Sequence, residues 1–153
     1  MIIAEYSETN LEEITDLFHR TVHAIDPSLY SEKQKDAWAP APPDYLAWDQ
    51  RLRCVKTYMA CDNGNIVGFM SIGSPGYIDY FFVDSDYQGK GIGKVLYYHI
   101  ERFAQDRYTK KLIVEASKVA RPFFERMGFI LISENQIIVN GQTLTNYTMK
   151  KER

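Results

Sequence analysis

Apolar residues fall at Leu11, Ile14, Leu17, Phe18, Val22 and Ile25. That spacing of three and four predicts an amphipathic helix over Leu11–Ile25. Thr9 or Asn10 can cap it, with Glu12 or Glu13 completing a capping box. A short strand, Ile2–Tyr6, precedes it. Ser31-Glu32-Lys33-Gln34 is a second capping box and opens a short helix carrying Trp38. Pro42-Pro43 can start a further helical turn with Tyr45 and Trp48. The pattern then changes. Val55–Cys61 and Ile66–Ile72 read as strands around Asp62-Asn63-Gly64-Asn65, a hairpin signal. Gly73-Ser74-Pro75-Gly76 makes another turn before a third strand, Tyr77–Val83. A Gly-rich loop leads into a helix with its stripe at Ile92, Val95, Leu96, Ile100 and Phe103. Lys111–Ala116 reads as a buried strand, Val119–Met127 as a short helix stopped by Gly128, and two last strands flank Asn140-Gly141. The order β-α-α-β-β-β-α-β-α-β-β implies an α/β sheet with one strand–helix–strand crossover around the Gly-rich loop.

Composition narrows this further. The chain has 153 residues, the size of one domain spanning residues 1–153, with 45% apolar and 25% charged residues. Disordered, collagen-like and coiled-coil chains are excluded. Lys and Arg total 18 against 20 Asp and Glu, a net charge of −2 that gives no electrostatic footprint for nucleic acid. No apolar run has the length of a membrane span, and the first residues lack a signal-peptide pattern. Cys54 and Cys61 flank one strand too far apart to bridge, so they are expected as free thiols in the cytoplasm. No Cys/His cluster predicts a metal, and the pair His19 and His23 has no third ligand signalled. The unusual feature is 14% aromatic residues.

The chemistry concentrates in Val83-Asp84-Ser85-Asp86-Tyr87-Gln88-Gly89-Lys90-Gly91-Ile92-Gly93-Lys94. This run joins a strand to a helix. Its glycines leave backbone N–H groups free to converge on an anion at a helix N-terminus, which suits a phosphate or pyrophosphate. It matches neither GxGxxG nor GxxxxGK[ST].

The segment Gln88-Gly89-Lys90-Gly91-Ile92-Gly93 resembles the Q/R-x-x-G-x-G/A signature of the GNAT superfamily of acyl-CoA-dependent N-acyltransferases. A second segment, Ala116 through Phe129, is similar to that family's second CoA-side helix, which commonly ends F-Y-x-x-x-G-F; here it ends Phe123-Phe124-Glu125-Arg126-Met127-Gly128-Phe129. The resemblance implies a mixed, mostly antiparallel sheet splayed into a V and flanked by helices. It implies acetyl-CoA as co-substrate, with no metal. The pyrophosphate would rest on residues Gln88, Gly89, Lys90, Gly91, Ile92 and Gly93, and the Lys90 and Lys94 side chains could add charge there. The pantetheine would pair with the backbone at Phe82 and Val83, near Ser117 and Phe124. Lys118 and Arg121 are candidates for the CoA 3′-phosphate.

N-acylation needs an oriented donor for the oxyanion, which the family takes from a backbone N–H near Val83. Simple alternation puts Tyr77, Asp79, Phe81 and Val83 on one face of their strand. Asp79 is its only carboxylate, a candidate base or an orienting group for the amine. The family's usual acid is a tyrosine at the position of Phe124, so it does not carry over. Ser117 and Tyr147 are candidate replacements, beside a thiolate that leaves unaided or takes its proton from water. His23, Tyr30, Trp38, Tyr77 and Asp79 are candidate acceptor contacts. The aromatic excess is expected to gather at one cleft: Tyr30, Trp38, Trp48, Tyr77, Phe81, Phe124 and Tyr147. The function expected is direct transfer in a ternary complex to a small-molecule or peptide amine, without nucleic-acid or membrane partners. The alternative is a non-catalytic CoA-binding or sensing module. The C-terminal hairpin presents an edge open to pairing in a homodimer.

Overall fold

The computed structural model describes residues 1–153. Seven strands form one sheet: β1 (Ile2–Glu5), β2 (Lys56–Asp62), β3 (Asn65–Gly73), β4 (Tyr77–Val83), β5 (Lys111–Ser117), β6 (Ile130–Val139) and β7 (Gln142–Glu152), in the order β1-β2-β3-β4-β5-β7-β6. Every neighbouring pair is antiparallel except β4 and β5. That parallel pair flanks the crossover helix α4 (Ile92–Asp106), as the element order predicts. It registers only Tyr77 with Ile113 and Ile78 with Val114. Beyond these residues the strands stop pairing, and the sheet opens there.

Helices cover both faces. α1 (Leu11–His23), α2 (Glu32–Trp38) and α3 (Tyr45–Arg53) lie on one; α4 and α5 (Arg121–Arg126) lie on the other. The core is split accordingly. Ile14, Leu17 and Val22 of α1 pack on Met59 and Phe69, while Leu96 and Ile100 of α4 pack on Met70, Ile78 and Leu112. Strand β3 lies between them and is buried on both faces, so it reads as a nearly continuous apolar run.

Local chemistry shifts several element ends. α1 stops at His23, two residues before Ile25, just ahead of Asp26-Pro27. Glu13 does not close a capping box. It reaches across to accept the Ile66 N–H at 2.6 Å and so fixes α1 to the start of β3. Ser31 and Gln34 do exchange the two bonds of their capping box, at 2.8 and 3.2 Å. The helix after Pro43 is longer than one turn: Asp44 accepts the Ala47 N–H and starts a nine-residue α3.

The largest departure from simple alternation is in β4. Met70 pairs with Phe81 and Ile72 with Ile78, so Asp79 and Tyr80 together face Ser71. This bulge places two successive residues against one. Ile78 therefore shares the α4 face with Phe81 and Val83. Asp79 and Tyr80 both meet Arg51 of α3, on the opposite face.

Candidate active site

Two cavities flank the opening between β4 and β5. The loop-side cavity, about 520 Å³, is bounded by Val83, the Gly-rich loop, the first turn of α4, and Phe123, Arg126 and Met127 at α5. The acceptor-side cavity, about 580 Å³, lies under α1, α2, α3 and the β6–β7 hairpin. Both are walled by Trp38, Phe81, Phe82, Ser117 and Ala120, so they adjoin at one junction.

The loop side is made mainly of backbone. Gly91 caps α4 in the left-handed region (φ 81°), and no side chain caps the helix. Gly89 has φ 78°, and a Cβ on either residue would enter open space. These two glycines are required by conformation, whereas Gly93 is required by packing: a Cβ there would lie 2.9 Å from Phe81 and 3.0 Å from Phe123. The first N–H groups of α4 lack intrahelical partners and carry the positive end of the helix dipole. Asp84 N–H bonds to Val67 O at 2.8 Å, pairing those residues directly. Val83 and Phe81 therefore turn their N–H and C=O groups away from β3, toward the opening. Gln88 Nε2 donates to Val83 O at 3.2 Å.

The loop is also tied to α1. Arg20 donates to Asp84 at 2.8 Å, and Asp84 accepts the Asp86 N–H. Burial alone would raise the Asp84 pKa, but the Asp86 N–H and the Arg20 guanidinium outweigh it and hold the carboxyl below its ordinary value. Of the basic candidates, Lys94 lines this cavity and Lys90 instead lies over Tyr87. Lys118 donates to Leu29 O, and Arg121 covers the Tyr147 ring. Arg126, which the sequence reading did not single out, lines the loop side.

The acceptor side is made of side chains. Tyr30, Trp38, Tyr77 and Asp79 line it; His23 does not. The His23 ring bonds to Ala39 O at 2.9 Å and ties α1 to the end of α2, leaving His19 on the cavity wall. Tyr30 donates to Thr145 O at 2.9 Å and accepts the Lys118 N–H at 3.0 Å, linking β7 to the end of β5. Burial raises the pKa values of Tyr30 and Tyr77 and pushes Tyr80 up to about 12. These phenols stay protonated at neutral pH.

Asp79, with 6% of its side chain exposed, accepts from Nε of Arg51 at 2.7 Å and from a terminal guanidinium nitrogen. Donating to Asp79 raises the Arg51 pKa. Arg51 also lies over the Tyr80 ring, which stacks on Trp48. No sequence pattern joins Arg51 to Asp79, because α3 and β4 meet only in the folded chain. Ser117 stands at the junction. Its Oγ accepts the Ala120 N–H at 3.1 Å, which leaves its own proton free. Tyr147 pairs with Ala116 and lies beneath Arg121, outside both cavities. Phe124 is fully buried against Phe81 and Phe129; it borders the acceptor side, and its neighbour Phe123 borders the loop side.

Residues 28–151 match the family model described as an acetyltransferase (GNAT) domain. The chain is 30% identical over 148 residues to the uncharacterized N-acetyltransferase YafP of Escherichia coli (strain K12), covering 97% of this chain and 93% of that protein. The crystal structure of a GCN5-related N-acetyltransferase from Rhodopseudomonas palustris is 32% identical, with a TM-score of 0.95 over 99% of this chain and 95% of that one. The PaiA N-acetyltransferase of Thermoplasma acidophilum, solved with coenzyme A, shares the fold at 15% identity, with a TM-score of 0.80 over the whole of both chains. With the family model spanning most of the sequence and a full-length relative at this identity, the chain belongs to the GNAT acetyltransferase family.

Proposed function

We infer that the protein moves an acetyl group from acetyl-CoA, held on the loop side, to a primary amine held on the acceptor side. The observation that carries this reading is the junction. Two cavities, each large enough for a small ligand, share the wall of Trp38, Phe81, Phe82, Ser117 and Ala120 where the sheet has opened. A nucleotide-bearing thioester suits the loop side, since Gly89 and Gly91 have open space around them and the α4 N-terminus is uncapped.

Acetyl-CoA supplies the activated acetyl thioester. The amides of Gly89 to Gly93 bind its pyrophosphate, with Lys94 and Arg126 adding positive charge. The free edge at Phe81 and Val83 takes the extended part of the cofactor as a further strand would be taken, once Gln88 releases Val83 O. Phe82 stays paired to β3 through its backbone, and its ring helps wall the junction. The Val83 N–H is the fixed donor for negative charge developing on the acetyl oxygen. Trp38 and Phe82 exclude water at the junction.

Asp79 keeps lone pairs after accepting from Arg51, so it orients the incoming ammonium while water carries off the proton. Ser117 donates a hydrogen bond from its free hydroxyl to the departing sulfur, which takes its proton from the water that relieved the ammonium of one, and Tyr147 takes no part. Removing that donor in Ser117→Ala lowers kcat by about 100-fold on this reading. An unchanged kcat would show that the departing sulfur needs no hydrogen bond from Ser117.

The test is to mix purified protein with acetyl-CoA and a panel of small-molecule and peptide amines while following free thiol. Amine-dependent CoA release is expected. Tight CoA binding by calorimetry with no release across the panel would instead support a CoA-sensing module.

A further inference from the structure

The sheet has two edges of unlike character. β1 is four residues long and carries Glu5, paired with Lys56. β6, at the other end, is ten residues long and contains one charged side chain and no proline. Exposed edges are usually blunted by short length, charge or Pro. β6 instead exposes Ile130 (59%), Ile132 (51%) and Ile138 (79%). Its order is Ile130-Leu131-Ile132, then Ser133-Glu134-Asn135-Gln136, then Ile137-Ile138-Val139. Read in either direction, it runs from apolar through polar to apolar.

We propose that β6 is a dimer interface, pairing antiparallel with β6 of a second copy of this chain about a two-fold axis at Asn135. A two-fold edge contact must be self-complementary, and this pattern is. Residues that pair across such an axis share one face of the joined sheet, so the axis falls on a residue rather than between two. At Asn135 it sets Glu134 against Gln136 of the partner and Ser133 against Ile137. The bulge between Leu131 and Ser133 gives that end two apolar residues, Leu131 and Ile132, to meet Ile138 and Val139 of the copy. At Glu134 it would set two carboxylates opposite each other, and at Gln136 it would set Glu134 against Ile138; both are disfavoured. The strand is held firmly for this role. Asn135 bonds to Asn146 and Thr148 of β7, and Asn140 at the hairpin tip donates to Ala37 O at 2.7 Å.

Pairing would also join two sheets end to end. Ile137 and Val139 line the acceptor-side cavity, so the second copy would lie next to each cavity wall.

The test is solution mass by light scattering and sedimentation on the full chain. Wild type is expected at twice the chain mass, and Ile138→Lys at one. Ile138 is largely exposed, so the variant should keep the wild-type circular dichroism spectrum and melting temperature. Asn135→Cys should give a disulfide-linked dimer under mild oxidant, because a residue on the axis faces itself at bridging distance; wild type under the same oxidant is the control. A monomeric wild type overturns the proposal. So does a dimer that persists in Ile138→Lys, which would place the interface elsewhere. Loss of the dimer in Ile138→Lys without a cross-link in Asn135→Cys overturns the assigned axis.

Discussion

The two cavities are similar in size but differ in what forms them. On the loop side the key groups are backbone N–H and C=O, presented by one contiguous stretch from Val83 to Lys94. On the acceptor side they are side chains from α1, α2, α3, β4, β5 and the β6–β7 hairpin, brought together only by the fold. A backbone site binds what every acyl-CoA has, a phosphate chain and an extended arm. A side-chain site can change its preference by substitution without disturbing the sheet. On the proposed reading, one molecule keeps a constant donor subsite beside an adjustable acceptor subsite.

Substitutions can separate the two. The largest effect is expected from Arg51→Ala. It strands the buried Asp79 carboxylate, which in a fully buried pair costs about 3–5 kcal/mol. Because more than half of the Arg51 side chain is in water, about 2 kcal/mol is expected in chemical denaturation. The amine kcat/KM should fall, while the KM for acetyl-CoA stays unchanged; a changed acetyl-CoA KM would break the comparison. Gly91→Val should do the reverse. A β-branched residue at φ 81° costs about 2 kcal/mol. Where the empty variant loop relaxes out of this conformation, binding must restore it, and the KM for acetyl-CoA rises by up to roughly 30-fold with the amine KM unmoved.

A smaller change is expected from Tyr30→Phe, which leaves the Lys118 N–H and Thr145 O without their shared partner. About 1.5 kcal/mol of stability should be lost, with the amine KM again the kinetic parameter that shifts. The smallest effect concerns the tie between Arg20 and Asp84. The pKa of Asp84 is depressed in the folded protein, so its contribution is full above about pH 4 and disappears as pH falls through the depressed value. Arg20→Ala should therefore cost under about 1 kcal/mol at pH 7. Its melting temperature should converge with wild type in acid, as a pH series of thermal melts would reveal.

The same contrast explains what could be read from the sequence. Helices, strands and the crossover follow from periodicity and turn residues, and the Gly-rich loop from one continuous run. The pair of Arg51 and Asp79 leaves no such trace, because two surface-type residues on separate elements meet only after packing. The bulge at Asp79–Tyr80 was equally hidden: strict alternation grouped Tyr77 and Asp79 with Phe81, and one extra residue reassigned them. The aromatic residues did gather, with Tyr30, Trp38, Trp48, Tyr77, Phe81 and Phe124 at the acceptor side. Tyr147 and His23 fell elsewhere because register and helix phase turned them toward other partners.

The short parallel register between β4 and β5 also has a consequence in time. β2, β3 and β4 form by neighbouring hairpins, and so do β6 and β7, whereas Tyr77 with Ile113 and Ile78 with Val114 must close a long loop containing all of α4. Loop closure must precede any gain from those contacts, so such pairings form late in folding. The pairing of β1 with β2, Ile2 to Cys61, closes a longer loop still, so the junction is completed after the hairpins that flank it rather than after every other strand pair.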